Sequence, residues 1–325
     1  MKLAHAAIRT PGACGLYETT RELAAGLRSR GVDSRIVDPK PNPKFAPVPQ
    51  EDRGVPIADM RWGVQSDLVV SHSGHDGTPL DDCGKPIIHV QHGRPVSSWL
   101  LERSGSAPSY SYAVERKGNP RYRACVTFWP EYQPMLQQLW GDVPVFVVQP
   151  SCDLERWSDP LQDVEYDFMG RTGEYNVVMT DPWSRPDVSG LTVVHAFKAF
   201  AEAVPGAKLH IYGIDNERGF RALKATLGDN CGLLQGWAKD LHQVYSAADM
   251  LITPHRIYTR SIREAMAMNI QVVSGRDAHP EDTLLFAAAM VERMHNPTPT
   301  RKFAEALFDP EQTAAGFSRV LEAVM

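Results

Sequence analysis

The chain has 325 residues, of which 43% are hydrophobic and 22% are charged, as in a water-soluble globular protein. Its length suits two domains, no apolar stretch reaches the roughly 18 residues of a membrane span, and the short, polar amino terminus predicts no signal peptide. The net charge of −5 lies mostly in the second half, which gives no overall basic footprint for nucleic acid.

The cysteines indicate the compartment. They are scattered, odd in number and contain no C-x-x-C pair. This pattern predicts free thiols in a reducing environment rather than disulfides or a zinc site. We therefore expect a cytoplasmic protein. The residues concerned are Cys14, Cys83, Cys125, Cys152 and Cys231.

The first half of the chain begins with a β-glycine loop-α-β pattern. Residues 2–8 and 34–37 are predicted as strands. Between them lie a loop with Gly12 and Gly15 and an amphipathic helix that ends at Gly31. Glycines in such a loop let a ligand approach the backbone, and this start is typical of a mononucleotide-binding half-unit.

Two further buried strands are predicted at 67–71 and 85–91, and each ends in a polar loop. Imidazole and carboxylate groups gather at these strand ends, so a metal site is conceivable there. The spacing is unspecific for a metal, however, and we predict none. The side chains concerned are His72, His75, Asp76, His89 and His92.

The remaining parts of the first half are predicted as two polar surface stretches and two strands. Residues 39–56 contain six prolines, which favour an extended surface loop. Residues 101–123 are rich in serine, tyrosine and arginine. The last strands of this half are predicted at 126–129 and 145–148.

The second half alternates strands and helices. Strands are predicted at 177–180 and 208–212, the latter closed by Gly213, with a helix around 194–201 between them. A terminal helix is predicted at 313–324. Such alternation is typical of a parallel sheet covered by helices.

The stretch from residue 249 to 275 is central to the argument. It contains a short apolar strand at 250–252, a polar loop, a helix and a second strand at 271–274. Ser261 and Glu264 have the S-x-x-E spacing of a capping box that starts a helix, and Asn269 is suited to end it. The loop leaves the carboxyl end of a parallel strand, where ligands bind in open α/β sheets and where a helix start favours an anion.

These residues resemble the nucleotide-sugar site of GT-B glycosyltransferases, especially the retaining enzymes grouped as family 4. Residues 264–267 read EAMA, as in the family segment in which a glutamate opens a helix. Arg256 occupies the position of another family glutamate. The glycine-rich loop of the family is replaced by Tyr258, Thr259 and Arg260.

Other segments are similar to the same family. Residues 233–237 and 241–249 follow its sequence pattern, and residues 149–157 resemble its interdomain hinge. Arg185 fits the family arginine that clamps the donor diphosphate, whereas Ser189 replaces the accompanying lysine. Glu281 lies in a Pro-Glu pair like that of the family's sugar-side loop.

The resemblance implies an α/β protein with two Rossmann-like domains facing each other across a cleft, the GT-B fold. It implies an acceptor-side domain at 1–155 and a donor-side domain at 156–325, with a terminal helix that returns to the first. The implied activity is transfer of a sugar, hexosyltransferase-like and with retention, from a nucleotide-diphosphate sugar to an acceptor hydroxyl. UDP-sugars are the expected donors, with no cofactor and no metal requirement.

The resemblance also implies roles for individual residues. Arg185 is expected to hold the diphosphate, Glu264 to bind the ribose hydroxyls and His92 to touch the donor sugar, and residues 101–123 are expected to face the acceptor. The remaining expected donor-binding residues are Gly15, Gly213, Arg256, Tyr258, Thr259, Arg260, Ser261 and Glu281.

Three alternatives stay open at this point. The first is a degenerate GT-B protein that binds a nucleotide sugar or glycan without turnover. The second is a sugar-nucleotide epimerase. The third is a transferase acting on hydroxymethylated DNA bases, as in phage-encoded enzymes of this fold. The sequence does not separate a glycan, a small molecule and modified DNA as acceptors, and it leaves the oligomeric state open.

Overall fold

A computed structural model describes residues 1–7, 15–38, 50–72, 83–93, 118–158, 166–180, 190–214 and 216–325. The chain divides into two compact units. The first comprises Met1–Ser151 together with Leu307–Met325, and the second comprises Cys152–Ala306. Each unit has its own sheet, built mainly from parallel strands and flanked by helices, so the predicted α/β class is confirmed.

The first unit is built on an eight-stranded sheet. Its strands are β1 (Lys2–Ala6), β2 (Asp33–Val37), β3 (Glu51–Asp52), β4 (Val55–Ala58), β5 (Leu68–Ser71), β6 (Ile87–Gln91), β7 (Tyr122–Thr127) and β8 (Val145–Val147). Their spatial order is β3-β4-β2-β1-β5-β6-β7-β8. The β3–β4 pair is antiparallel, and all other neighbours are parallel.

The second unit contains a five-stranded parallel sheet. Its strands are β9 (Tyr175–Met179), β10 (Ala207–Tyr212), β11 (Cys231–Gln235), β12 (Met250–Thr253) and β13 (Gln271–Ser274). The order β11-β10-β9-β12-β13 reverses direction between β9 and β12. In open α/β sheets, ligands bind outside the carboxyl ends of the strands at such a switch point.

Helices cover these sheets. They are α1 (Gly15–Ser29), α2 (Met60–Val64), α3 (Gln133–Trp140), α4 (Gly190–Ala203), α5 (Glu217–Leu227), α6 (Leu241–Ser246), α7 (Arg260–Ala267), α8 (Thr283–His295), α9 (Thr300–Leu307) and α10 (Pro310–Val324), with 3₁₀ turns at Pro130–Tyr132 and Gly228–Asn230. The described helices are all too short or too polar to cross a lipid bilayer.

The carboxy-terminal helix α10 packs on α1 within the first unit. A Cβ atom at Gly26 of α1 would lie 2.9 Å from the Cβ of Ala314 in α10. Real Cβ atoms do not approach so closely, so the glycine is what allows the two helix backbones to meet. Arg30 Nε also donates to the hydroxyl of Ser318 at 3.3 Å.

The core of the second unit explains the continuous apolar runs of its strands. Leu209 and Ile252 are fully buried in the sheet. Phe197 and Phe200 of α4 and Phe286 of α8 are also fully buried and belong to the same apolar cluster. A parallel sheet with helices on both faces hides both faces of its strands, so it selects apolar residues at successive positions.

The proline-rich stretch is not a loop throughout. Residues 51–58 contain the antiparallel pair β3 and β4, so the prediction of a surface loop across 39–56 was wrong for this part, while residues 39–49 lie outside the described chain. Arg53 and Gly54 have φ values of 49° and 77° and form the tight turn of the hairpin. Val55 is fully buried and packs with Tyr17, which anchors the hairpin.

Candidate functional site

The carboxyl edge of the second sheet presents the loops that flank its switch point. Residues 181–189 follow β9, and they contain Arg185 and Ser189. Both residues lie outside the described part of the chain, so the expected role of Arg185 stays a prediction. The loop after β12 is described, and it leads directly into α7.

A buried ion pair occupies the start of α7. The Nε atom of Arg260 donates to Oε1 of Glu264 at 2.5 Å. The two side chains are only 10% and 6% exposed. Residues four apart on a helix are neighbours, so the helix itself brings guanidinium and carboxylate together. Because both charges are removed from water, each depends on the other for compensation.

The predicted capping box is wrong. Thr259, not Ser261, is the N-cap residue of α7, and it makes no side-chain cap hydrogen bond. The Glu264 carboxylate pairs with Arg260, and the Ser261 hydroxyl lies 3.0 Å from the Thr259 hydroxyl. Because the Glu264 carboxylate is engaged by Arg260, it does not accept the backbone N–H that a capping box requires. The helix end predicted at Asn269 is confirmed, with a left-handed φ of 60°.

Two arginines lie at the sheet edge beside α7. Arg256 follows β12 and Arg276 follows β13, and both are exposed. The guanidinium of Arg276 lies 4.5 Å from the centre of the Tyr258 ring. Its Nη1 atom donates to the carbonyl oxygen of Arg256 at 3.2 Å. The loop after β13 therefore supports the loop after β12, and two positive charges are placed at one edge.

Gly275 lets these two loops approach. A Cβ atom at this position would lie 2.5 Å from the carbonyl oxygen of Pro254, a distance that no side chain tolerates. The turn that follows is fixed by Asp277, whose Oδ2 accepts from the backbone N–H and the hydroxyl of Ser274, both at 2.9 Å. Arg293 of α8 donates to the other carboxylate oxygen at 2.9 Å. Hydrogen bonds from Ser274 and Arg293 to Asp277 therefore fix the conformation of this loop.

The other strands of this sheet contribute a glycine pair and an exposed tryptophan. Gly213 follows β10 with a left-handed φ of 94°, and its N–H donates to the carbonyl oxygen of Gly236. That N–H is thus used to join the loops after β10 and β11. Trp237, next in the chain, is 61% exposed at the same edge.

Two predicted donor-binding residues lie at helix starts. Glu281 is exposed in the turn before α8, where its backbone N–H donates to Nδ1 of His279 at 3.3 Å. Gly15 is the first residue of α1 in the first unit, and its carbonyl oxygen accepts from the Thr19 hydroxyl at 2.8 Å. The glycine loop that precedes Gly15 lies outside the described residues.

Three histidines form a hydrogen-bonded row in the first unit. His5 lies in β1, His72 directly follows β5 and His92 directly follows β6. Nδ1 of His5 is 2.9 Å from Nε2 of His72, and Nδ1 of His72 is 2.9 Å from Nε2 of His92. Trp129 Nε1 donates to the carbonyl oxygen of His92 at 3.2 Å, and the Phe128 ring meets the His92 ring edge-on.

Burial keeps the inner histidines neutral. It lowers the pKa of His5 to about 3. Burial also holds the pKa of His72 well below its ordinary value, and the charges of His5, His92 and His89 add to this effect. For His89, burial lowers the pKa to about 4, against a hydrogen bond to Gln91 that raises it.

The histidine row is not arranged as a metal site. Its ring nitrogens face one another rather than a common point. Across the described residues, no group of three or more histidine, cysteine or acidic side chains is placed to hold a metal ion. His75 and Asp76, named with these histidines from the sequence, lie outside the described residues.

A family model matches the part of the chain that contains this edge of the second sheet. Residues 188–307 match the family model described as Glycosyl transferases group 1. This part of the chain is therefore similar to a glycosyl transferases group 1 domain. The match begins just before α4 and includes β12, α7 and β13. A comparison with curated proteins finds none that matches the chain.

Solved structures share the fold over almost the whole chain. HepE of Anabaena in complex with UDP-glucose superposes with a TM-score of 0.73 at 12% identity, covering 99% of this chain and 100% of that one. A glycosyltransferase from Rickettsia africae has a TM-score of 0.63 at 11% identity, covering 99% and 98%. A UDP-N-acetylglucosamine 2-epimerase, described as putative, from Listeria monocytogenes has 0.61 at 14%, covering 99% and 95%.

These similarities confirm the predicted GT-B fold, with two Rossmann-like domains. At 11–14% identity they show the fold and no more. The structure confirms the predicted strand, loop and helix of this segment, whereas the expected donor-binding roles of its residues stay predictions. The residues concerned are Arg256, Tyr258, Thr259, Arg260, Ser261 and Glu264.

Several residues of this fold were missed in the sequence. Arg276 was not identified, although it follows a predicted strand at the same sheet edge as Arg256. His5 was not identified either, because a single histidine inside an apolar strand gives no signal of a neighbour that lies 67 positions away. Trp237 was included only as part of a family pattern, and its exposure was not predicted.

Proposed function

We propose that this protein is a glycosyltransferase that moves a sugar from a nucleoside-diphosphate sugar to an acceptor hydroxyl. The observation that carries the proposal is the group 1 domain at residues 188–307, whose strand–loop–helix edge combines a buried carboxylate with exposed guanidinium groups. A nucleoside-diphosphate sugar has an anionic diphosphate and a ribose with two hydroxyls, and these groups need such partners.

The diphosphate is proposed to bind between the arginines and the start of α7. Arg256 and Arg276 are exposed at this edge, and a guanidinium suits phosphate oxygens because of its planar set of donors. The first turn of α7 has no side-chain cap, so its N–H groups and the positive end of its dipole favour an anion. Arg185 is proposed to add a further guanidinium from the loop after β9.

The ribose is proposed to bind to Glu264. A carboxylate accepts hydrogen bonds at two oxygens and donates none, which suits a pair of neighbouring hydroxyl groups. The bond from Arg260 to Oε1 fixes the orientation of this carboxylate. Because Glu264 is buried within α7, its position is set by the helix rather than by a mobile loop.

Catalysis is proposed to rest on electrostatic stabilisation of the departing diphosphate. Positive groups already in place need no reorganisation when negative charge develops, and such stabilisation is usually the largest catalytic contribution. His92 is proposed to contact the transferred sugar. Retention of configuration and independence of metal ions are parts of the proposal that rest on resemblance to family 4 enzymes. The proposal of UDP-sugars as donors is supported in addition by the complexes of HepE with UDP and UDP-glucose.

The proposal is tested first by donor binding. Thermal unfolding is measured with UDP-, GDP-, ADP- and dTDP-sugars, since a ligand at 100 times its dissociation constant stabilises a protein by about 2.7 kcal/mol. We expect stabilisation by at least one UDP-sugar. Release of UDP from that donor, with EDTA present, then tests turnover, and the anomeric configuration of the product tests retention.

The outcomes separate the proposal from its alternatives. Release of UDP with transfer of the sugar to water or to an added hydroxyl compound supports a transferase. Conversion of the donor to its epimer supports an epimerase, a class that shares this fold. Stabilisation without any turnover would identify a binding protein, and no stabilisation by any nucleotide sugar would contradict the proposal.

A further inference from the structure

The row of His5, His72 and His92 determines which ring nitrogen of His92 carries the proton. His5 and His72 are 0% and 2% exposed, whereas His92 is partly exposed. β1, β5 and β6 are consecutive in the sheet, so the row runs sideways across three strands near their carboxyl ends. The backbone N–H of His72 also donates to the carbonyl oxygen of Ala6 at 3.0 Å, which fixes its place beside β1.

The two hydrogen bonds must run in the same direction. A neutral imidazole has one N–H donor and one acceptor nitrogen. His72 is kept neutral at physiological pH by burial, and both of its ring nitrogens are used, one toward His5 and one toward His92. If His72 accepts from His5 it must donate to His92, and if it accepts from His92 it must donate to His5.

The inner end of the row selects the direction. Nε2 of His5 is buried and has no hydrogen-bond partner in the described structure. If the row ran inward, the proton of His5 would lie on this nitrogen and an unpaired N–H would be buried, at a cost of about 1–3 kcal/mol. The outward direction leaves an acceptor nitrogen unpaired instead. For buried backbone groups, unpaired N–H donors are rarer than under-satisfied acceptors, and we take the same preference to hold for this imidazole. The outward direction places this proton on Nδ1, where His72 accepts it.

We propose that His5 and His72 are positioning residues that fix His92 as the tautomer protonated at Nδ1. His5 donates to His72, His72 donates to Nε2 of His92, and the proton of His92 is therefore on Nδ1. That N–H is the hydrogen-bond donor that His92 would offer to an oxygen of a bound ligand. Identification of this oxygen as a hydroxyl of the transferred sugar rests on the proposed function, whereas the tautomer rests on the geometry and burial of the row.

The test reads the tautomer directly. Long-range ¹H–¹⁵N spectra of protein labelled with ¹⁵N-histidine distinguish protonation at Nδ1 from protonation at Nε2, and the His92 signals are assigned by their loss in His92→Asn. We expect His92 to be protonated at Nδ1 in the parent protein. Protonation at Nε2 would overturn the proposal without any activity measurement.

Paired variants test the role of the middle residue. His72→Phe keeps an aromatic ring and removes both hydrogen bonds, so His92 is expected to become a mixture of tautomers. His72→Gln still accepts from His5 and donates to His92, and it is expected to restore the Nδ1 tautomer. His89→Phe is the matched control. His89 is a buried histidine of β6 that does not belong to the row, and the variant introduces the same residue, phenylalanine. An unchanged His92 tautomer in folded His72→Phe would contradict the proposal.

Turnover gives the second measurement. Loss of one ordered hydrogen-bond donor is expected to lower kcat by about five- to tenfold with little change in donor affinity, and His72→Gln should recover most of it. If His72→Phe does not fold, His5→Phe provides the same measurement, because it removes the donor that sets the direction. A correct tautomer without transfer activity would contradict the proposed function and leave the positioning role standing.

Discussion

Arg260 Nε lies 2.5 Å from Glu264 Oε1, and the pair is buried in the first turns of α7. Its partners are one helical turn apart, so the helix places the carboxylate and the guanidinium at the same time. A buried pair is costly to assemble and costlier to break, because removal of one partner leaves an uncompensated charge.

The first prediction concerns the stability of this pair. Arg260→Met keeps an apolar side chain of similar length and removes the charge, so the buried Glu264 carboxylate loses its ion pair with Arg260. We expect the free energy of unfolding to fall by about 3 kcal/mol, measured by urea denaturation. The double variant Arg260→Met, Glu264→Met is the control and should recover much of the loss, since both buried charges are removed. Equal losses in the single and double variants would contradict this account.

The second prediction concerns the role of Glu264 toward the nucleotide. Glu264→Gln keeps the shape of the side chain but places an amide donor where the ribose hydroxyls need an acceptor, so UDP affinity should fall by about tenfold or more. Titration calorimetry at a temperature where the variant is folded measures this fall. Ser261→Ala is the control: because Ser261 is not the N-cap, we expect parent-like stability and a small effect on UDP affinity.

The third prediction concerns Arg276, which the sequence did not reveal. Arg276→Ala removes an exposed guanidinium and its contact with Tyr258, so UDP affinity should fall by about tenfold to a hundredfold. The matched control is Arg171→Ala. Arg171 is exposed before β9, at the opposite edge of the same sheet, and its loss should leave UDP affinity unchanged. Equal effects of both substitutions would argue against a specific site.

The fourth prediction concerns Arg185, which follows β9 in the sequence. A charge-assisted hydrogen bond contributes about 1.5–3 kcal/mol, so Arg185→Ala should weaken UDP binding by about tenfold to a hundredfold with little change in stability. UMP, which lacks the second phosphate, should lose less affinity than UDP. Parent-like UDP binding by a folded Arg185→Ala variant would remove Arg185 from the site.

The fifth prediction concerns acid stability. Burial lowers the pKa of His5 to about 3 and that of His89 to about 4. Between those values and the ordinary pKa of 6.5, the unfolded chain binds protons that the folded protein does not, so stability falls as the pH falls. Each such histidine contributes a slope of about 1.4 kcal/mol per pH unit.

Urea denaturation between pH 7 and pH 4 measures this slope, and His89→Phe isolates one part of it. The variant should show a slope smaller by about one proton in the window from pH 6.5 to pH 4. Identical pH dependence in parent and variant would show that His89 titrates normally in the folded protein.

The architecture of the sheet edge around β12 and α7 could be predicted from the sequence because it depends on local signals. The apolar run at 250–252 predicted β12, and Asn269 predicted the end of α7. The prediction of a capping box was wrong, although the S-x-x-E pattern is also a local signal. Glu264 forms an ion pair with Arg260, one helical turn before it. The carboxylate therefore binds the Arg260 guanidinium rather than the backbone N–H of Ser261.

Long-range juxtapositions could not be predicted. The contact of Arg276 with Tyr258 joins two loops that meet only when β12 and β13 pair. The row from His5 to His92 depends on the order of β1, β5 and β6, which periodicity does not specify. The need for glycine at position 275 could not be predicted either, because it arises from the close approach of the Pro254 carbonyl oxygen in the folded chain.

The most direct measurement is the time course of UDP release from UDP-sugars by the purified parent protein, with Glu264→Gln measured in parallel and the sugar product identified by mass. The account predicts UDP release together with transfer of the sugar to water or to an added hydroxyl compound, and a rate in Glu264→Gln that is lower by about tenfold or more at subsaturating donor. An intact donor after prolonged incubation, under conditions where it demonstrably binds, would contradict the assignment as a glycosyltransferase.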